Sequence, residues 1–195
     1  MSAFNKLKPL LKKPLFRSSE ARIIGISAAL LAYYVKKGFI QRVDRGVYRG
    51  VNAPQNVDFQ WEDLFYAVKS IPSGVVCLIS ALAIYELTDE IPRAHWIAVP
   101  HAARAPKRKM AKIIRMRNMN LGKTDIKLGE EKIKIFDKER TIIDSFRYLP
   151  FEIAMKALKM GLKLGGEKKL NQRRLSDYAK KLRVNIRPYI LAITT

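Results

Sequence analysis

Arg45 stands in the turn sequence Asp44-Arg45-Gly46, and Arg42 and Arg49 flank it. Just upstream, Ser27, Ala28, Ala29, Tyr33, Lys36 and Lys37 recur at helical spacing. These residue types do no covalent chemistry. Cations neutralise phosphates and release condensed counterions, while small residues let a helix approach base edges and alanine methyls touch thymine methyls. With Ser18 and Arg22 on the preceding segment, they form a candidate DNA-binding set. Arg104, Lys107, Arg108, Lys109 and Lys112, continuing to Arg115 and Arg117, form a cationic run without one acid. The run reads either as a solvated loop leading into a strand or as a second phosphate-contacting patch.

The remaining reactive side chains do not assemble into an enzyme. His95 and His101 fall in expected strand or loop, and no serine or cysteine nucleophile has a plausible base partner. Cys77 is the single cysteine, set in Val-Val-Cys-Leu-Ile, so it forms no intramolecular disulfide and reads as a small buried apolar residue. Two histidines without a cysteine cluster give no zinc site. Gly161 to Lys168 lacks the Gly-Lys-Ser/Thr a phosphate loop needs and reads as a helix–helix turn. Asp137, Glu139 and Asp144 suggest a metal nuclease only superficially, because Arg140 and Asp144 stand four apart as an intrahelical pair. No catalytic residue, metal or cofactor is expected.

The elements that must hold the basic set follow from periodicity. Phe4, Leu7, Leu10 and Leu11 have helical spacing up to Pro14, with Pro9 poorly placed beyond a first turn. Ser18-Ser19-Glu20 opens a short helix with a hydroxyl cap and an acid. Gly25-Ile26-Ser27 supplies a turn and a second cap, and Ala28 to Lys37 forms a helix that stops at Gly38. Leu30 or Leu31, Tyr34 and Val35 are expected to pack with Ile23, Ile26, Phe39 and Val43, leaving Ser27, Ala28, Ala29, Ala32, Tyr33, Lys36 and Lys37 outward. Period-two residues from Ile40 to Arg49 around Asp44-Arg45-Gly46 predict a hairpin, the wing of a winged helix-turn-helix.

Beyond the polar stretch Gly50 to Asp58, helices are expected at Trp61 to Ser70, within Val75 to Leu87, at Lys138 to Tyr148, and from Phe151 to the end. Gly165-Gly166 interrupts that last region, and Pro188 kinks or breaks it. Strands are expected at His95 to Pro100, Ile113 to Arg117 and the two arms around Gly129-Glu130. The fold class is α+β: a winged helix-turn-helix domain over 1–52, then a mixed α/β domain over 53–195 ending in helices.

Charge supports a polyanionic partner. The chain of 195 residues has 38 Lys and Arg against 17 Asp and Glu, a net +21. Up to Asn52, eleven cations face only Glu20 and Asp44; from Phe151 on, eleven face Glu152, Glu167 and Asp177. The middle is closer to balance. No membrane span and no secretory leader are visible, so a cytoplasmic protein is expected.

Several runs resemble a known family. Gly25-Ile26-Ser27, Lys36-Lys37-Gly38-Phe39-Ile40-Gln41-Arg42-Val43 and Arg45-Gly46-Val47-Tyr48 resemble the N-terminal domain of AbiEi-type antitoxins of type IV toxin–antitoxin systems. Ser80-Ala81-Leu82, Leu87-Thr88-Asp89 with Ile91-Pro92, and Arg140-Thr141-Ile142-Ile143-Asp144 resemble that family's second domain. The resemblance implies a bacterial DNA-binding antitoxin that represses its own operon at inverted repeats in double-stranded DNA. Its C-terminal domain would counter a nucleotidyltransferase-like toxin, with or without a stable complex. A plain winged-helix transcription factor whose second domain oligomerises or senses a ligand is the alternative. RNA binding is a third reading, without the aromatic-rich strand it would need.

Overall fold

A computed structural model describes residues 3–54, 57–104, 107–108 and 110–194, apart from the side chains of Glu167 and Thr194. The chain divides into two compact units: 1–72 with 127–132, and 73–126 with 133–195. The division comes after Pro72, well beyond the boundary expected at Asn52. Helix and sheet are mixed throughout, as an α+β chain requires.

The first unit opens with α1 (Ala3–Leu11), which continues through Pro9. The proline removes one N–H from the ladder, yet Leu7 and Leu10 are buried on the inner face and keep the turn in place. Next come β1 (Phe16–Arg17), α2 (Ser18–Ile23), α3 (Ala28–Lys36), β2 (Ile40–Asp44) and β3 (Val47–Gly50). The three strands make an antiparallel sheet in the order β1-β3-β2. One core holds Leu7, Phe16, Ala21, Ile26, Leu31, Tyr34 and Ile40. A 3-10 turn (Phe59–Trp61) then leads into α4 (Glu62–Ser70).

In the second unit the apolar run from Val75 splits into a two-residue strand, β4 (Val75–Val76), and helix α5 (Leu78–Ile84). The strand was not expected. It pairs antiparallel with β5 (His95–Pro100) and parallel with β8 (Glu131–Phe136), so its neighbours across the sheet, not its own two residues, stabilise it. The sheet runs β6-β5-β4-β8-β7, with β6 (Ala111–Met116) parallel to β5 and β7 (Lys123–Leu128) joined to β8 at Gly129-Glu130. Helices α6 (Lys138–Tyr148), α7 (Phe151–Lys163), α8 (Gln172–Leu182) and α9 (Arg187–Thr194) complete the unit. A short 3-10 turn at Gly166–Lys168 separates α7 from α8. Pro188 stands in the first turn of α9, where a helix needs no N–H from it, and so starts a helix instead of kinking one.

The acids of α6 are structural. Asp137 caps the helix by accepting the Arg140 N–H at 2.8 Å, and its second oxygen accepts the Tyr178 hydroxyl of α8 at 3.0 Å. Glu139 accepts the Asn171 N–H at 2.7 Å. Arg140 is fully buried and donates through Nε to Asp144 at 2.6 Å. Its Nη1 donates to the carbonyls of Asn118 and Leu121 at 3.1 and 3.0 Å, and its guanidinium stacks 4.6 Å from the Phe136 ring centre. Arg147 approaches the other Asp144 oxygen at 2.7 Å. Gly122 passes this group so closely that a Cβ there would come within 2.7 Å of the Arg140 Cβ. Burial pushes the neighbouring Cys77 thiol well up, which leaves it an inert apolar side chain.

Removing one member of a buried ion pair strands the other without solvent. Asp144→Ala should therefore destabilise the second unit by about 3–5 kcal/mol. In urea denaturation of the full chain the corresponding midpoint falls while the slope stays constant.

Candidate nucleic-acid interface

The site is built on α3 and the wing. The turn between α2 and α3 needs a left-handed residue, and Gly25 takes it at φ +79°. The Gly25 N–H reaches the Arg22 carbonyl at 3.0 Å and the Ile26 N–H reaches the Ala21 carbonyl at 2.9 Å, closing the end of α2. Ile26 is buried just beyond the turn and anchors it. Ser27 then caps α3, its hydroxyl oxygen accepting the Leu30 N–H at 3.2 Å. At the far end the Lys37, Gly38 and Phe39 N–H groups bond back to Tyr33, Val35 and Tyr34 carbonyls. Lys36 and Lys37 sit where the helix dipole favours cations.

Leu31 and Tyr34 bury one face of α3, so the rest of its surface turns outward. Ser27, Ala28, Ala29, Ala32, Tyr33, Lys36 and Lys37 are all exposed, the outward set expected from helical spacing. Tyr33 is 51% exposed, and Lys37 lies over its ring at 5.8 Å from the centre. From Ser27 to Lys37 the stripe is about 15 Å long at 1.5 Å per residue. A helix of that reach, with small residues at its N-terminal end, suits a major groove.

The wing turns at Asp44–Val47, with Gly46 at φ +73° and an irregularity in the ladder between Arg42 and Asp44. Arg42 and Arg45 are exposed, and Asp44 Oδ1 accepts the Arg45 N–H at 2.6 Å, which shapes the tip. Ser18 is half-buried; its N–H donates to the Gly46 carbonyl at 2.9 Å and so ties the start of α2 to the wing. Arg22 is exposed on the last turn of α2.

Arg49 departs from the expected set. Its Nη1 donates to Glu62 at 3.2 Å and to the Tyr66 hydroxyl, which in turn donates to Glu62 at 2.5 Å. Burial, followed by the bond to Glu62, pushes the Tyr66 phenol up to about 12. With its side chain 14% exposed, Arg49 ties β3 to α4 and offers little charge outward. The Glu62 carboxylate and Tyr66 hydroxyl that capture it come thirteen and seventeen residues later, out of reach of local pattern.

Three other expectations fail. Ile23 is 85% exposed because Ala21, two residues earlier and roughly 200° around the helix, takes the buried face. Phe39 is 49% exposed and lies against Phe4 at 5.0 Å, covering the core edge instead of filling it. No serine hydroxyl caps α2: Arg17 stands at the cap, and Glu20 accepts its N–H at 2.8 Å.

These elements, from α1 to β3, are the stretch that a known family shares. Residues 5–49 match the family described as transcriptional regulator, AbiEi antitoxin. No curated protein matches the chain significantly. The matched segment includes the whole α2–turn–α3 unit and Arg42, Arg45 and Arg49, but not Glu62 and Tyr66.

In the second basic run, Arg104 and Lys107 are exposed, Arg108 is half-buried, and Lys109 lies outside the described residues. Lys112 stacks on Trp96, its Nζ 3.8 Å from the ring centre, in register across the β5–β6 pair. Among the described residues no helix is long and apolar enough to cross a membrane, and no cluster of His, Cys, Asp or Glu could hold a metal ion.

The two arginines of the wing should separate experimentally. Arg45→Ala is expected to lower the slope of log affinity against log salt by about 0.9, one phosphate contact, with an unchanged melting temperature. Arg49→Ala should leave the slope unchanged and destabilise the first unit by about 1.5–3 kcal/mol, the range for hydrogen bonds to a charged group.

Proposed function

We propose that this chain is a DNA-binding autorepressor and antitoxin. It reads its own operator through α3 and the wing, and the second unit counters a nucleotidyltransferase-like toxin. The observation that carries the DNA half is the exposure of the complete Ser27-to-Lys37 stripe, beside Arg42 and the Arg45 tip, in a segment of AbiEi regulator type. Small side chains on the helix favour shape and methyl contacts over arginine–guanine pairs, while the wing cations grip phosphates or the minor groove. The toxin half rests on the family match and on a second unit large enough for separate work.

Arg104, Lys107 and Arg108 extend the same electrostatics as a second phosphate-contacting patch. Arg108→Ala together with Lys109→Ala should reduce the salt slope of operator binding by roughly one to two. An unchanged slope assigns that run to solvent.

Ala29→Glu puts a carboxylate on the face that would meet the bases. Gel shift should show operator binding lost, with circular dichroism and melting temperature as in the parent. Coexpressed with a nucleotidyltransferase-like toxin, the same full-length variant should still protect cells. Full operator affinity in Ala29→Glu would mean that another face of α3 meets DNA. Loss of protection with operator binding would tie the antitoxic role to the helix instead of the second unit.

A further inference from the structure

A cleft of about 540 Å³ opens between α8 and α9. Ala179 and Ile186 are buried within it, Val184 and Ile190 line its sides, and Leu191 is 57% exposed at its edge. Lys180 and Arg187 also line it, and no acid does. From Arg173 to Arg187 six cations accompany Asp177 as the only acid. An apolar trough bordered by cations is a combination with a definite complement. We propose that this groove receives an acidic amphipathic helix of another protein.

Two features select that occupant. Arg187 and Leu191 stand one turn apart on the same side of α9, facing Ala179 and Lys180 of α8, so each wall of the groove sets a cation beside an apolar side chain. A ligand helix with leucines at i, i+3, i+4 and i+7, flanked by glutamates, reproduces that spacing in the opposite chemistry. The groove wall is also fixed in advance. Tyr189, on the other side of α9, stacks on Phe146 with ring centres 5.1 Å apart and planes 2° from parallel, and Phe151 meets it edge-on at 5.3 Å. A wall so held loses little freedom on binding.

The charge balance argues against the other occupants. A second copy of a chain at +21 would bring like charges together at this rim. Nucleic acid would use the cations but leave the trough of Ala179, Ile186 and Leu191 without a partner. The groove lies wholly in the second unit and uses no residue of the recognition helix, so peptide binding and operator binding can fail separately.

The test uses the full-length protein and a fluorescein-labelled helical peptide with leucines at i, i+3, i+4 and i+7 and glutamates between. A control peptide carries serine in place of each leucine at equal charge. Anisotropy should show saturable binding of the leucine peptide and roughly tenfold or weaker binding of the control, one buried leucine being enough for that factor. Leu191→Ser and Arg187→Glu, both surface changes, should each weaken the leucine peptide about tenfold with unchanged melting temperature and operator affinity. Equal binding of both peptides, no saturable binding, or no effect of either substitution overturns the proposal. A concentration-dependent dimer in sedimentation that Leu191→Ser abolishes assigns the groove to a second copy. Operator affinity lost with Leu191→Ser assigns it to DNA.

Discussion

A nine-residue helix has room for one buried stripe, and in α3 that stripe is Leu31 and Tyr34. The first unit is arranged around this constraint. Leu7 and Leu10 of α1, Ala21 of α2, Ile26 of the turn and Ile40 of β2 close over those two side chains in a single core. Once they do, the outward set from Ser27 to Lys37 has no freedom to turn inward. The outward face of α3 is therefore a by-product of core packing: moving the buried stripe by one residue would rotate every exposed side chain by about 100°.

Burial sorts the cations into two kinds. Arg140 is wholly enclosed and held by Asp144, two carbonyls and an aromatic ring, and Arg49 is held by Glu62 and Tyr66. Neither adds to the outer field, and each loses much if its acid is removed. Some surface cations do meet acids, as Lys13 meets Glu20, Lys134 meets Asp125, and Arg174 lies near Asp137 and Glu139. Asp137 caps α6, Glu139 holds the Asn171 N–H at the start of α8, and Asp144 balances Arg140. The basic surface reflects chiefly the excess of 38 cations over 17 acids.

Much of this was legible in advance wherever the deciding partner lay within a few residues. The Lys138–Tyr148 helix, the Arg140–Asp144 pair, the Ser27 cap, the β5 span and the outward face of α3 all depend on spacings of one to four. The failures share the opposite property. Val75–Val76 became a strand because β5 and β8 flank it, Arg49 was captured from α4, and Phe39 was displaced to the core edge by Phe4, more than thirty residues before it. The exceptions are local: Ile23, two residues from buried Ala21, had to point away, Arg17 and not a serine stands at the α2 cap, and Pro188 starts a helix instead of breaking one.

The sequence by itself determined the class of surface this protein presents, because helix and strand periods assign faces, and caps and glycines assign ends, through local bonds. Which arginine is spent on structure and which on the outside was decided only by tertiary contact. Glu62 and Tyr66 reach Arg49 from a helix later in the chain, and a groove between α8 and α9 exists only once Tyr189 is stacked on Phe146. Charge is a property of composition, but exposure of charge is a property of packing. The pattern of residues in the chain states the first and leaves the second to the fold.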